Sequence, residues 1–317
     1  MQLTRYAVER LVLLLPVLFG TSLIIFFLLR LVPGDPAMVI MGLRATPEGL
    51  AVIREDLGLD LPIYEQYLLW IGNLLQGNLG QDYRSHVAVT QLLKERLPVT
   101  IELTLFSLLL AVVVAIPLGI RAAVKPHGVA DNGAQLLGLL GISIPDFWLG
   151  IMLILALSLG LGFFPSSGFV PISESITGNL LSIFLPSLTL AVGLAAVLVR
   201  ITRSAMLDVL DQNFIRFLHA KGLRQRLVIY KHALRNASIP IITVIGLQFG
   251  YLLGGAVIVE EVFSLPGVGR LIITATLERN YPVVQAGMLV VALMFILVNL
   301  ATDLLYAVLN PKIREGR

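Results

Sequence analysis

The sequence predicts an all-α polytopic membrane protein with six transmembrane helices and both termini in the cytoplasm. Three observations predict it. Nineteen consecutive residues from Leu11 to Leu29 carry no charge, and five further apolar stretches follow. The chain of 317 residues is 57% hydrophobic and only 14% charged, against about 25% charged in soluble domains. Its 23 Lys and Arg residues are divided unequally between alternate segments. Such a balance excludes a water-soluble globular domain; the net charge of +3 says little by itself, and no nucleic-acid partner is expected.

The first span covers approximately 11–30. Fifteen of the nineteen residues Leu11–Leu29 are Leu, Ile, Val or Phe. At about −0.4 kcal/mol each they favour insertion by roughly −6 kcal/mol, twice the ~3 kcal/mol cost of one central charge. The stretch is longer than the ~7–15-residue core of a cleaved signal. It runs into Arg30-Leu31-Val32-Pro33-Gly34-Asp35-Pro36 instead of a small-residue cleavage site.

Residues 31–98 form an external helical segment. Thr46-Pro47-Glu48 reads as a helix start with proline at the first helical position, and Gly58 as the stop. Pro62 to Gln76 reads as a second helix closed by Gly77. Its apolar stripe of Tyr67, Trp70, Ile71, Leu74 and Leu75 is expected to rest on the outer ends of the spans or in the lipid interface.

Five more spans follow at approximately 99–120, 134–161, 180–199, 237–259 and 284–308. Each reaches the ~20 residues that cross ~30 Å as a helix. Fifteen of the basic residues, including Arg5, Arg10, Arg121, Lys125, Lys312, Arg314 and Arg317, fall on the side of the termini and the 200–236 loop. Arg30, Arg44, Arg54, Arg84, Lys94, Arg96, Arg270 and Arg279 fall on the other, most of them in one long segment where charge constrains topology weakly. Loop 162–179 has no Lys or Arg. The termini and residues 200–236 are therefore assigned to the cytoplasm.

Asp146 is the one acid deep inside a span. An intramembrane carboxylate is a functional candidate by default. Pro145 beside it frees a carbonyl one turn earlier, at Gly141. A protonated Asp146 could satisfy backbone groups at that kink, or the residue could line a pathway. Glu102, Glu260 and Glu261 fall near external ends, where water reaches them.

The 200–236 loop holds eight basic residues against Asp208 and Asp211. Asn213 can cap a helix starting at Phe214, and Gly222 can end it. At 100° per residue Phe214, Ile215, Phe217 and Leu218 share one face, and Arg216, His219 and Ala220 the other. An isolated helix shorter than ~12 residues is marginal in water and needs a partner. Lipid headgroups, the protein's own spans and a separate cytoplasmic protein are the candidates.

Several chemistries are excluded. The chain has no cysteine, hence no disulfide or thiolate metal site. It has no Gly-x-x-x-x-Gly-Lys-Ser/Thr loop and no Gly-Lys pair to cradle nucleotide phosphates. It has no His-Glu-x-x-His, and its four histidines are scattered at 86, 127, 219 and 232. No catalytic or metal-ligating constellation emerges, so the chain alone is not expected to be an enzyme.

Phe214-Ile-Arg-Phe-Leu-His-Ala-Lys-Gly-Leu223, followed by His232-Ala-Leu-Arg-Asn236 and Ile239-Pro240, resembles the cytoplasmic coupling loop of ABC-importer permeases. The closest resemblance is to the dipeptide/oligopeptide/nickel permease family, in its first-permease type. It extends along nearly the whole chain. Pro33-Gly34-Asp35-Pro36, Leu57-Gly-Leu-Asp60, Gln66-Tyr67, Gly77-Asn-Leu-Gly80, Pro266-Gly-Val-Gly-Arg270, Asn280-Tyr-Pro282 and Asp303 to Arg314 occur in the family's order. Three departures stand out. Phe217, Leu218 and His219 replace the small or polar residues usual before Ala-Lys-Gly, Arg216 stands where the general loop opens with an acid, and Asn280 replaces a more usual Asp.

The resemblance implies a type I ABC importer permease fold, a single permease domain over 1–317 with 200–236 as the coupling loop, and residence in the bacterial inner membrane. It implies four kinds of partner besides the bilayer: a second homologous permease, two cytoplasmic ATPase subunits that carry ATP and Mg, and a periplasmic or lipid-anchored substrate-binding protein. No cofactor is expected in this chain. The coupling residues would be Phe214, Arg216, Leu218, His219, Ala220, Lys221, Gly222 and Leu223. In the fifth span Gly246, Gly250 and Gly254 share one face. They would serve intrachain packing or a seam with the second permease along the pathway. In the external loop 262–282, Pro266, Gly267 and Gly269 mark turns, and Leu271–Leu277 could form a short helix. This loop, with Arg270, would contact the binding protein, form part of an external gate, or only pack. The implied cargo is di- or oligopeptide, with nickel complexes or glutathione as alternatives. An ion-coupled secondary transporter is the reading from a different class. It is disfavoured because Asp146 is the only intramembrane charge and no inverted repeat is evident.

Overall fold

A computed structural model describes residues 2–31, 34–42 and 45–309. Pro33, Arg44, Lys312, Arg314 and Arg317 lie outside the described residues, as do the side chains of Arg5 and Arg10. The described residues are helical, with one isolated bridge between Gln81 and Ala88. In chain order the helices are α1 (Gln2–Leu31), α2 (Pro36–Met41), α3 (Pro47–Asp56), α4 (Ile63–Leu75), α5 (Val89–Val124), α6 (Val129–Ser143), α7 (Asp146–Leu153), α8 (Ile176–Leu210), α9 (Asn213–Ala220), α10 (Gln225–Leu227), α11 (Leu234–Val262), α12 (Val268–Leu277) and α13 (Tyr281–Leu309). π-helical turns over Ile154–Gly160 and Val228–Ala233 extend α7 and join α10 to α11.

Among the described residues five helices are long and apolar enough to cross a membrane, and six if α6 and α7 count as one broken span. The count agrees with the six apolar stretches, but the third span does not have the form expected. Instead of one kinked helix over 134–161, two helices meet at 103°. Pro145 has no N–H to continue the ladder, and the residue before a proline is pushed out of the helical region. Ile144 accordingly takes φ −90°, ψ 121°, its amide closes the ladder on Leu140 O at 3.2 Å, and Asp146 opens a new helix.

The chain forms two compact units. The first comprises Met1–Leu11, Ile101–Leu265 and Phe295–Arg317. At its centre α8 packs on α6, α7 and α11, burying Leu185, Thr189, Leu190, Leu194 and Leu198. Gly141 permits the α6 contact, because a Cβ there would lie 2.8 Å from Ala196 Cβ. One polar tie, not anticipated from the sequence, crosses from α6 to α8. Asp131 is 0% exposed and accepts from Arg203 Nη2 at 2.8 Å, from Arg203 Nε, from Gln135 Nε2 at 2.9 Å and from the His127 amide at 2.9 Å. Every lone-pair direction of that carboxylate meets a donor, which is the condition for burying it. Glu260 also departs from expectation: it is 0% exposed, not within reach of water.

The second unit comprises Val12–Thr100 and Pro266–Met294. Its helix signals act as read. Thr46 Oγ1 accepts from the Gly49 amide at 3.2 Å, capping α3. Gly58 and Gly77 take φ +63° and +79° and close α3 and α4. In each case the next amide returns to the carbonyl five residues back, Leu59 to Arg54 O at 2.8 Å and Asn78 to Asn73 O at 2.9 Å. The α4 stripe rests on α1: Tyr67 and Trp70 hold the Phe26 ring at 5.1 and 5.6 Å, and Tyr67 Oη meets Ser22 Oγ at 2.9 Å. Leu75 is the exception, 83% exposed. Asn280, 1% exposed, donates to Asp82 Oδ2 at 2.9 Å. Burial disfavours the Asp82 carboxylate, but the Ser85 and Arg84 amides, the Ser85 hydroxyl and Asn280 hold it below its ordinary value. The amide of Asn280 therefore has a consequence, since an acid at that position would put two carboxylates together.

Arg203→Ala leaves Asp131 buried without its cation. It is expected to lower the melting temperature of the detergent-solubilised protein by roughly 5 °C. The paired neutral change Asp131→Asn/Arg203→Gln should recover most of that loss, as read by a thermal-shift assay.

Candidate functional site

The loop helix α9 is held at its C-terminal end and along one face. Asn213 is its first residue and not its cap; Gln212 stands at the N-cap position with no side-chain hydrogen bond. The C-terminal end is secured as expected. Gly222 has φ +77°, its amide bonds His219 O at 2.9 Å, and the Leu223 amide bonds Leu218 O at 3.3 Å. This reciprocal pair needs a left-handed residue, which glycine supplies without steric cost.

The two faces of α9 divide differently from the sequence reading. Ile215 is 2% exposed and inserts into a cluster with Met206, Val209, Val228, Ile229 and Ala233. Phe214, Leu218 and Leu223 lie half-buried against the same cluster. Phe217 does not join them and is 57% exposed. At 3.6 residues per turn, Phe214, Leu218 and Ile215 span an arc of about 100°, and Phe217 lies about 110° from its centre. The outward face carries Arg216, Phe217, His219, Ala220 and Lys221. Lys221 Nζ stands 4.6 Å from the Phe217 ring centroid, and Arg216 Nη2 meets Asp211 Oδ1 at 3.1 Å. Phe217 thus does not share the face of Phe214, Ile215 and Leu218, as the sequence grouping had it; its 300° position on a helical wheel was the available signal.

Of the glycines in α11, Gly246 and Gly250 seat the last helix of the same chain. A Cβ at Gly246 would collide with the Thr302 side chain, and one at Gly250 would lie 2.5 Å from Phe295 Cε2. Gly254 has nothing within 4 Å of such a Cβ. Asp146 sits across from this helix, at the break between α6 and α7. Its partner among the described residues is the Tyr251 hydroxyl, which donates to Oδ2 at 2.8 Å, and not a backbone group at a kink. The acid, the glycine-bearing helix and α8 meet here, whereas α9 lies in a separate cluster of the same unit.

In loop 262–282 α12 begins at Val268, earlier than Leu271. Val268 is 0% exposed and its amide bonds Thr100 Oγ1 at 2.9 Å. Gly267 and Gly269 are buried too, so the accessible part of the motif is Pro266 and Arg270, both half-buried. Among the described residues no group of three His, Cys, Asp or Glu could hold a metal ion.

The described residues form a helical body with up to six candidate spans, with a clamped short helix between α8 and α11. The chain belongs to the family of binding-protein-dependent transport system inner membrane components: that family's model matches residues 115–315, and the model of its N-terminal region matches residues 3–104. The dipeptide transport system permease protein DppB of Escherichia coli K12 is 42% identical over 337 aligned residues, covering 99% of both chains. The di/tripeptide transport system permease protein DppB of Pseudomonas aeruginosa is 42% identical, covering 98% of this chain and 99% of its own. A putative peptide transport system permease protein of Brucella abortus is 41% identical with the same coverage. Among solved structures, an inward-facing conformation of the MetNI methionine ABC transporter matches with a TM-score of 0.57 and 18% identity, over 70% of this chain and 97% of that one. The fold is that of a type I ABC importer permease.

The glycines separate on substitution. Gly246→Val is expected to displace the last helix and cost about 1–3 kcal/mol through overpacking. Gly254→Val should leave the melting temperature of the purified protein unchanged. A thermal-shift comparison of the two reads the difference.

Proposed function

We propose that this chain is one of two homologous permease subunits that together form the membrane pathway of an ATP-driven importer of short peptides. The observation that carries the peptide assignment is full-length identity of 41–42% to proteins whose names specify peptides, dipeptides and di/tripeptides. In this reading the chain is a single permease domain in the bacterial inner membrane with cytoplasmic termini. A periplasmic or lipid-anchored binding protein delivers the peptide outside, where Pro266 and Arg270 offer contacts and the buried Gly267 and Gly269 shape the loop beneath them. ATP and Mg belong to two separate ATPase subunits.

Coupling then follows from the geometry of α9. Closure of the ATPases pushes on the outward face, where Phe217 supplies an aromatic knob and Arg216, His219 and Lys221 set the register. Ile215, Phe214 and Leu218 pass the displacement to the chain's own core. Gly222 and Leu223 keep the end of the lever from fraying. Gly254, open on its surface, is the glycine available for a seam with the second permease.

The test is reconstitution with the second permease, the ATPases and the binding protein. Vanadate-sensitive uptake of labelled Ala-Ala is expected, and Phe217→Ala should reduce it roughly thirtyfold, the size of one hot-spot contact. Complex assembly in the membrane should persist. Peptide uptake by this chain alone, driven by an ion gradient without ATP, would contradict the proposal.

A further inference from the structure

Asp146 presents an unbalanced arrangement. It opens α7 at the 103° break, and its side chain is only half-buried. Tyr251, its partner, is 47% exposed. Hydrocarbon against the open side of a carboxylate costs about 3 kcal/mol, and ionisable groups within spans face the protein interior or a water-filled cavity. The open side of this pair therefore faces water or a polar partner.

The pair is also short of donors. Among the described residues the Tyr251 hydroxyl is the one hydrogen-bond donor to Asp146, and no Lys, Arg or His forms an ion pair with it. The contrast with Asp131, saturated by Arg203, Gln135 and a backbone amide, is plain. An ionised carboxylate offers about four lone-pair sites, and a phenol oxygen that donates still accepts. Two glycines place no side chain of their own against those oxygens. A Cβ at Gly193 would lie 3.4 Å from Tyr251 Oη and 3.7 Å from Asp146 Oδ1; one at Gly255 would lie 3.3 Å from Asp146 Oδ2. The pair thus presents Oδ1, Oδ2 and Oη together, flanked by the backbone of Gly193 on one side and by that of Gly255, with the Leu190 side chain packed against it, on the other.

We infer that Asp146 and Tyr251 form a station for a cationic group, receiving the α-ammonium of a peptide as it crosses the membrane. An alkylammonium has three N–H donors and no acceptor, which complements three convergent acceptor oxygens. A solute in transit must be held well enough to enter and weakly enough to leave. A neutral hydroxyl partner keeps the carboxylate oriented without occupying it as a fixed cation would. The inference rests on the peptide-importer reading above. A basic side chain of the second permease is the competing occupant.

The chain has no cysteine, so Phe147→Cys, 49% exposed in the native residue beside Asp146, gives a single reporter thiol in the assembled transporter once its partner subunits are cysteine-free. In inside-out vesicles the thiol is reacted with a trimethylammonium thiosulfonate and with a sulfonate-bearing one. The cation-to-anion rate ratio is expected to fall about tenfold when Asp146→Asn is added, and to survive Asp146→Glu. Millimolar Ala-Ala should slow labelling, and N-acetyl-Ala-Ala should not. A ratio unchanged by Asp146→Asn, equal protection by both peptides, or reaction with a membrane-permeant maleimide alone would each overturn the inference; the last would mean the pair is sealed by a partner side chain or lipid. ATP-driven Ala-Ala uptake by the parent transporter tests the importer reading separately. Uptake with an unchanged ratio rejects the station alone, and absence of uptake rejects the importer reading and with it the peptide as the station's ligand.

Discussion

The insertion of Ile215 into the chain's own core is the interaction on which the short helix α9 depends. An eight-residue helix in water has too few internal hydrogen bonds to repay its nucleation. Its persistence requires apolar burial, and Ile215, flanked by Phe214 and Leu218, provides it against Met206, Val209 and Ile229. Burying one such side chain contributes about 1.5–3 kcal/mol. That is enough to hold a short helix in one orientation, and it leaves the opposite face free to meet another protein. A lever must be fixed at one end and accessible at the other, and this distribution of burial meets both conditions.

The bilayer imposes the second constraint. No water is available in the hydrocarbon to satisfy polar groups, so the chain must satisfy its own. Small hydroxyls within the helices do so by bonding carbonyls four residues back, as Ser107 does to Leu103 O at 2.6 Å, Thr189 to Leu185 O at 2.8 Å and Thr302 to Val298 O at 2.8 Å. Asp131, buried ahead of the third apolar stretch, is likewise satisfied, by Arg203, Gln135 and the His127 amide. The buried Ser187 and Thr202 hydroxyls find no partner among the described residues, and Asp146, with one donor and an open side, is the ionisable departure from this pattern, which makes it a functional candidate.

Much of this architecture was legible in the sequence because its signals are local. Apolar length gives spans, and Thr46, Gly58, Gly77 and Gly222 give helix ends, since capping and left-handed backbone are properties of single residues. What was not legible depends on tertiary packing. Pro186 and Pro240 sit inside continuous helices while Pro145 ends one, and no neighbour pattern separates them. Asp131 and Arg203 are 72 residues apart, so their pairing has no local signature. Phe217 shares the composition of its buried neighbours, and only its angular position sets it outside. The glycines of α11 followed a regular four-residue spacing, yet Gly246 and Gly250 face the last helix of the same chain and Gly254 does not.

The most direct test of the lever is disulfide trapping with single cysteines on its two faces. Phe217→Cys, in a chain that has no cysteine of its own, should form an adduct with cysteines placed along the docking groove of the ATPase subunit, and its yield should change with ATP and vanadate. Ile215→Cys should form none. Adducts from Ile215→Cys, or a Phe217→Cys that is captured only by lipid-soluble reagents and never by the ATPase, would contradict the account.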